Sequence, residues 1–222
     1  MKKRYIFALG ALVGGAAALF LAPKSGKELQ ADLLAKNING FRPDQFNNYM
    51  NVEAHYNTTG KEIVDKVSNI DAFVNGIGTG GTLIGISKKI KEYHKDAEII
   101  ALEPEQLPIL STGKADGNHK IEGIGDDFIP NIVDKSIINK IITVDDEDAI
   151  NMSRILAKHY GLGVGISSGA NLIASALSKK ENVVTIFADD LKKYLSTDLI
   201  NDINSDKTLV SNNINILSID YI

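Results

Sequence analysis

Asp71-Ala-Phe-Val-Asn-Gly76-Ile-Gly78-Thr79-Gly80-Gly81-Thr82-Leu83 runs from an apolar strand through four glycines into the start of a helix. Glycine lets the backbone turn tightly and approach an anion, and the unpaired N–H groups and dipole of a helix N-terminus attract one. The stretch therefore predicts a phosphate site. Gly76, Gly78 and Gly81 also satisfy the dinucleotide spacing G-x-G-x-x-G, with Glu103 ending the next apolar run where a ribose-binding acid would stand. The hydroxyls of Thr79 and Thr82 suit the oxygen-rich end of a terminal monophosphate better than a bridging pyrophosphate, and nucleotide binding stays the alternative.

Outward from this stretch, short apolar runs alternate with amphipathic ones. Strands are expected at Ala72–Gly76, Glu98–Leu102, Lys140–Val144 and Val183–Phe187. Helices are expected at Thr59–Val67, Thr82–Tyr93, Glu147–His159 and Ser168–Lys179, with a short one near Tyr194. Strands alternating with long helices predict an α/β fold with a parallel sheet covered on both faces. Thr59 and Glu62 have the spacing of a capping box, and Asp145-Asp146-Glu147 places acids at a helix N-terminus.

The chain reads as four regions: an apolar helix with a polar exit at 1–36, a turn-rich junction at 37–57, the α/β domain at 58–200, and an asparagine-rich tail at 201–222 that forms an edge strand or stays loose. In the first region, basic residues 1–4 precede eighteen uncharged residues, 5–22. A helix of that length spans about 27 Å, just short of a hydrocarbon core, so a membrane helix is expected there, with a cleaved signal peptide second. Gly10 and Gly14 have the spacing that lets helices pack closely in lipid. The stretch ALVGGAAALFLAPKSGKELQADL resembles the N-terminus of small bacterial general-stress proteins of the YtxH type.

Two further motifs border the first. Gly165-Ile-Ser167-Ser168-Gly169 fits the G-x-S-x-G nucleophile elbow, but a hydrolase triad needs a later histidine and none follows His159. A serine at a helix start can instead cap the helix or donate to a ring nitrogen. His119-Lys-Ile-Glu-Gly123-Ile-Gly125-Asp-Asp-Phe128-Ile-Pro130 has too many glycines for a strand interior and predicts a loop beside a site.

Composition narrows the function classes. With 44% hydrophobic and 23% charged residues, a packed core is expected. A net charge of -4 disfavours nucleic acid and anionic membrane surfaces as electrostatic partners. There is no cysteine, hence no thiolate nucleophile, and the four histidines lack helical metal-site spacing.

In order, DAFVNGIGTGGTLIGI, ALEP, HKIEGIGDDFIP, VGISSGA and KKYLSTDL resemble the cysteine synthase (O-acetylserine sulfhydrylase) family, relatives of cystathionine β-synthase, and Gln45-Phe46 with HYNTTGKEI extends the likeness. The resemblance implies part of a doubly wound sheet, the large domain of fold-type II enzymes, and pyridoxal 5′-phosphate as cofactor. It implies that Gly78, Thr79, Gly80, Gly81 and Thr82 hold the cofactor phosphate, that Ser167 faces the pyridine nitrogen, and that Gln45 and Gly125 line the pocket of an amino-acid substrate. The implied reaction replaces the acetate of O-acetylserine by sulfide to give cysteine, and a homodimer is an expected assembly.

Departures from the family pattern bear on activity. The family's Schiff-base lysine motif and its Ser-Gly-Asn-Thr-Gly substrate loop are absent from the sequence, and Lys24 and Lys27 stand in an unlike context. No catalytic residue is therefore assigned, and the chain is expected to be truncated and inactive alone. Lys61 stands where the family usually has proline, and Asp126-Asp127 replace a frequent Ala-Gly. A membrane-tethered, non-catalytic binding or interaction protein is the second expectation. The charge bias around residues 5–22 points the domain outward, whereas cofactor supply points to the cytoplasm; a membrane-associated protein with a cytoplasmic domain is expected, with export as the alternative.

Overall fold

The computed structural model describes residues 33–201 and 208–217. The expected membrane helix at 5–22 lies outside the described residues; among those described, no helix is long and apolar enough to cross a membrane. The chain divides into two units, Met1–Asp44 and Gln45–Ile222, and the second carries the α/β fold and the candidate site.

Among the described residues of this unit, four parallel strands form one sheet: β1 (Ala72–Gly76), β2 (Glu98–Pro104), β3 (Lys140–Val144) and β4 (Val183–Thr185). Six α-helices accompany them: α1 (Met50–Asn57), α2 (Thr59–Lys66), α3 (Gly81–Tyr93), α4 (Ile109–Thr112), α5 (Asp146–Tyr160) and α6 (Ile166–Leu177). The strand order is β3-β2-β1-β4. The chain winds outward from β1 to β3, then returns through α5 and α6 to place β4 on the other side of β1. That reversal makes the crevice beyond the C-terminal ends of β1 and β4 a topological switch point, where open α/β sheets bind ligands.

Period-two alternation sorts the strand side chains to opposite faces. Ala72, Val74, Ile100 and Leu102 face one core layer, where α5 and α6 contribute Ile150, Met152, Leu156, Ala170 and Ile173. Phe73, Ile99 and Ala101 face the other, built on Leu83, Ile86 and Ile90 of α3. Burial on both faces explains why β1 and β2 read as continuous apolar runs rather than alternating ones.

Residues 50–57, expected within a turn-rich junction, form helix α1 and belong to the α/β unit. Its asparagines disfavour a helix locally, but Val52 is fully buried with Ile84 and Ile132, and this packing overrides propensity. The capping box expected at Thr59 does not form. Thr58, not Thr59, takes the N-cap position of α2, and its hydroxyl donates back to the Ala54 carbonyl, joining the two helices. The acids at α5 do cap, the Asp145 carboxylate accepting the Glu147 N–H at 2.9 Å. The strand expected to Phe187 ends at Thr185, and the helix near Tyr194 is a 3-10 turn, Leu191–Tyr194. The described tail forms no edge strand: its 3-10 turn, Val210–Asn213, docks on α5, where the Asp148 carboxylate accepts both the N–H and the hydroxyl of Ser211.

Candidate functional site

The loop Gly78–Gly80 leaves the C-terminal end of β1 at the switch point and enters α3. Gly80 holds φ at +91°, a backbone that a side chain strains, and a Cβ there would also meet Val133 at 2.4 Å. Gly78 sits so close to the Gly123 carbonyl that a Cβ would lie 2.3 Å from it. Among the described residues, the N–H groups of Gly78, Thr79, Gly80 and Thr82 donate no hydrogen bond. Four N–H groups without acceptors at a helix N-terminus make this loop a candidate anion site.

Two side chains of α1 support this loop. Asn51 Nδ2 donates to Thr79 Oγ1 at 2.9 Å and to the Gln45 carbonyl at 3.0 Å. One turn on, His55 Nε2 lies 3.1 Å from Thr82 Oγ1, and burial lowers the His55 pKa, favouring neutral imidazole. Neither residue is among those expected from the sequence. Their i, i+4 spacing, which puts both on one helix face, is the available signal, and the asparagine-rich surroundings mask it.

The loop from His119 to Pro130 borders the site as expected. Its Gly125 N–H donates to the Ile77 carbonyl at 2.9 Å, and His119 Nε2 lies 2.7 Å from the Gly125 carbonyl. At the loop's base, Lys120 N–H donates to the buried Asp146 carboxylate, whose pKa burial raises. Phe128 packs edge-on against Phe46 at 5.0 Å, which brings the Gln45 segment and this loop together. The Gln45 side chain itself is exposed, and it is the backbone carbonyl of Gln45 that meets Asn51.

Ser167 is buried in the first turn of α6, and its hydroxyl has no hydrogen-bond partner among the described residues. Asn171, one turn further on the same face, accepts the Gly76 N–H at 2.9 Å through Oδ1. Its Nδ2 donates to the Ile186 carbonyl at 2.7 Å and to Asn75 Oδ1 at 3.2 Å. Because i and i+4 side chains share a helix face, Ser167 stands on the face of α6 that meets the end of β1 through Asn171. The phosphate loop, Ser167, Gly125 and the Gln45 segment thus share one end of the sheet.

The nucleotide alternative loses its acid. Glu103 is 2% exposed, and its carboxylate accepts the N–H groups of Leu110 and Ser111 at 2.6 and 3.1 Å, capping α4. A carboxylate spent on two backbone donors is not offered to a ribose.

The residues fit a phosphate-bearing ring cofactor: open N–H groups and threonine hydroxyls for the phosphate, and an unpartnered buried serine for a ring nitrogen. Comparison with known proteins agrees. The profile described as pyridoxal-phosphate dependent enzyme matches residues 8–189. The chain is 45% identical over 184 residues to cysteine synthase B of Campylobacter jejuni, covering 81% of this chain and 61% of that one. It is 42% identical over 196 residues to a cysteine synthase of Staphylococcus aureus, covering 85% and 61%. A hydrogen sulfide-producing enzyme of Fusobacterium nucleatum superposes with a TM-score of 0.78 at 46% identity, covering 83% of this chain and 58% of that one. The chain spans about 61% of the length of these curated relatives. The family match begins at residue 8, so it runs through the apolar stretch expected to be a membrane segment of the YtxH type, and nothing in the comparisons supports that segment. With a match over most of its length and a switch-point cradle to go with it, this chain belongs to the pyridoxal-phosphate dependent enzyme family.

Proposed function

We propose that the chain forms the phosphate- and ring-holding part of a cysteine synthase-type enzyme, which replaces the acetate of O-acetylserine by sulfide. The observation that carries this reading is the set of four unspent N–H groups at Gly78, Thr79, Gly80 and Thr82, placed at the switch point of a parallel sheet. Bound there, pyridoxal phosphate would supply the electron sink for breaking bonds at the α- and β-carbons of an amino acid. The chain's own residues do the positioning. The loop N–H groups receive the phosphate at the positive end of α3, Gly81 leaves room for Asn51 beside the loop, and Thr79 and Thr82 present hydroxyls to the phosphate. Ser167 offers a neutral hydroxyl to the pyridine nitrogen. Gln45 and Gly125 flank the place for the amino-acid substrate, while Phe46 and Phe128 close the apolar side of that border.

The sequence lacks the family's Schiff-base lysine motif, so none of these residues is assigned to bond to the cofactor. The chain alone is expected to bind the cofactor without turnover. Equilibrium dialysis of the purified chain tests this: pyridoxal phosphate should be retained, while pyridoxal and NAD should not. Retention of NAD in preference to pyridoxal phosphate would overturn the reading.

Context is proposed on the same footing. The family match from residue 8 favours enzyme sequence over an anchor at 5–22, so a cytoplasmic protein is proposed; recovery in carbonate-washed membranes would contradict it. A homodimer is proposed, to be read by light scattering after gel filtration.

A further inference from the structure

The surroundings of Asn51 fix the direction of every hydrogen bond it makes. The Gln45 backbone carbonyl, 3.0 Å away, can only accept, so the amide atom facing it must be the NH2. That same nitrogen reaches Thr79 Oγ1 at 2.9 Å, and both of its protons are thereby committed. Thr79 Oγ1 also accepts the Gly81 N–H at 3.3 Å. Two N–H donors occupy the acceptor side of the Thr79 hydroxyl, and its single proton has no acceptor among the described residues. The Asn51 carbonyl meanwhile presses on Gly81, where a Cβ would lie 2.0 Å from Oδ1. The amide is therefore held from three sides: by Gln45, by Thr79 and by the first residue of α3.

We infer that Asn51 is a positioning residue that makes the Thr79 hydroxyl an obligate donor toward a phosphate oxygen. A lone threonine hydroxyl can turn either its proton or its lone pairs to a neighbour. Here the Gln45 carbonyl orients the Asn51 amide, the amide orients the hydroxyl, and the hydroxyl points its proton into the anion site. The relay also ties the segment beside the amino-acid pocket to the phosphate loop. The inference rests on the pyridoxal-phosphate reading of the site, and the test separates the two.

The full chain and its variants are titrated calorimetrically with pyridoxal phosphate and, separately, with inorganic phosphate. Asn51→Ala removes one donor to Thr79 and should weaken pyridoxal phosphate binding about tenfold, the scale of one hydrogen bond to a charged group. Asn51→Asp keeps the shape but puts an acceptor and a negative charge against Thr79, and should weaken binding on the order of a hundredfold. Because Asn51 acts through the hydroxyl, Asn51→Ala should cost less than about twofold in a Thr79→Val background, a non-additivity that a merely structural helix contact would not produce. If the Asn51 variants do not fold, Thr79→Val against Thr79→Ser carries the same claim: loss in the first, retention in the second. Equal cost of Asn51→Ala in both backgrounds, or wild-type affinity in Asn51→Asp, overturns the inference. Binding of inorganic phosphate but not pyridoxal phosphate overturns the cofactor reading alone, and the variant ratios read on phosphate still decide the role of Asn51. Binding of neither probe overturns both.

Discussion

Replacing Asn171 tests whether the candidate site is held together by a single side chain. Its amide joins the end of β1 to the segment after β4: it accepts from Gly76 N–H at 2.9 Å and donates to the Ile186 carbonyl at 2.7 Å and to Asn75 Oδ1 at 3.2 Å. The side chain is 5% exposed, so its partners have little access to water. Asn171→Ala strands one buried donor and two acceptors. Each stranded group costs about 1–3 kcal/mol at full burial, with Asn75 retaining a bond from Nδ2 to the Gly76 carbonyl. With the 3.2 Å bond to Asn75 the weakest of the three, the two groups left without any partner set an expected loss of about 2–6 kcal/mol. Asn171→Asp should be at least as damaging, since it keeps the acceptor for Gly76 but sets a carboxylate against the Ile186 carbonyl. Urea unfolding followed by circular dichroism measures this as a lower midpoint at unchanged slope. Affinity for pyridoxal phosphate should fall as well, because Gly76 leads into the phosphate loop. A loss below about 0.5 kcal/mol in Asn171→Ala would refute the view that this amide secures the site, since ordinary surface changes reach that size.

Other contacts make their own predictions. Glu103→Ala frees the N–H groups of Leu110 and Ser111 and should destabilise the fold by about 1–3 kcal/mol by urea unfolding. His55 has a folded pKa below its ordinary 6.5, so the unfolded chain binds more protons between the two values; the contribution of neutral His55 is complete above pH 6.5 and is lost as pH falls through the lowered value. An NMR titration of the His55 ring should show a midpoint under 6.5. Ser167→Ala should leave the urea midpoint within about 0.5 kcal/mol, since its hydroxyl has no partner to lose among the described residues, while altering the absorption spectrum of bound pyridoxal phosphate. Asp148→Ala removes both bonds to Ser211, and limited proteolysis should then cleave within 208–217 faster than in the wild type.

Much of this arrangement is legible from local pattern. β1 and β3 appear where their apolar runs end, because flanking glycine, asparagine and aspartate leave few alternatives, and the glycines after Gly76 announce a turn into a helix. Helix α1 is hidden for a physical reason: Met50–Asn57 is held by the burial of Val52 against α3, a tertiary contact that local propensity does not carry. Asn51 and His55 are hidden with it. Glu103 shows the converse. Its spacing from the glycines is that of a ribose-binding acid, but only the three-dimensional arrangement shows its carboxylate turned inward onto α4. Ser167 is legible from its place at a helix start, whereas Asn171, which shares its helix face, has no motif of its own.

Whether the loop Gly78–Thr82 receives the phosphate of pyridoxal phosphate while Ser167 meets the ring is tested most directly by amide chemical-shift mapping of the isotope-labelled chain. On adding pyridoxal phosphate, the largest shifts should fall on Gly78, Thr79, Gly80 and Thr82, with a second set at Ser167 and Ser168; inorganic phosphate should move the first set alone. Shifts centred elsewhere, or an unchanged Gly78–Thr82 loop at saturating pyridoxal phosphate, would contradict this assignment.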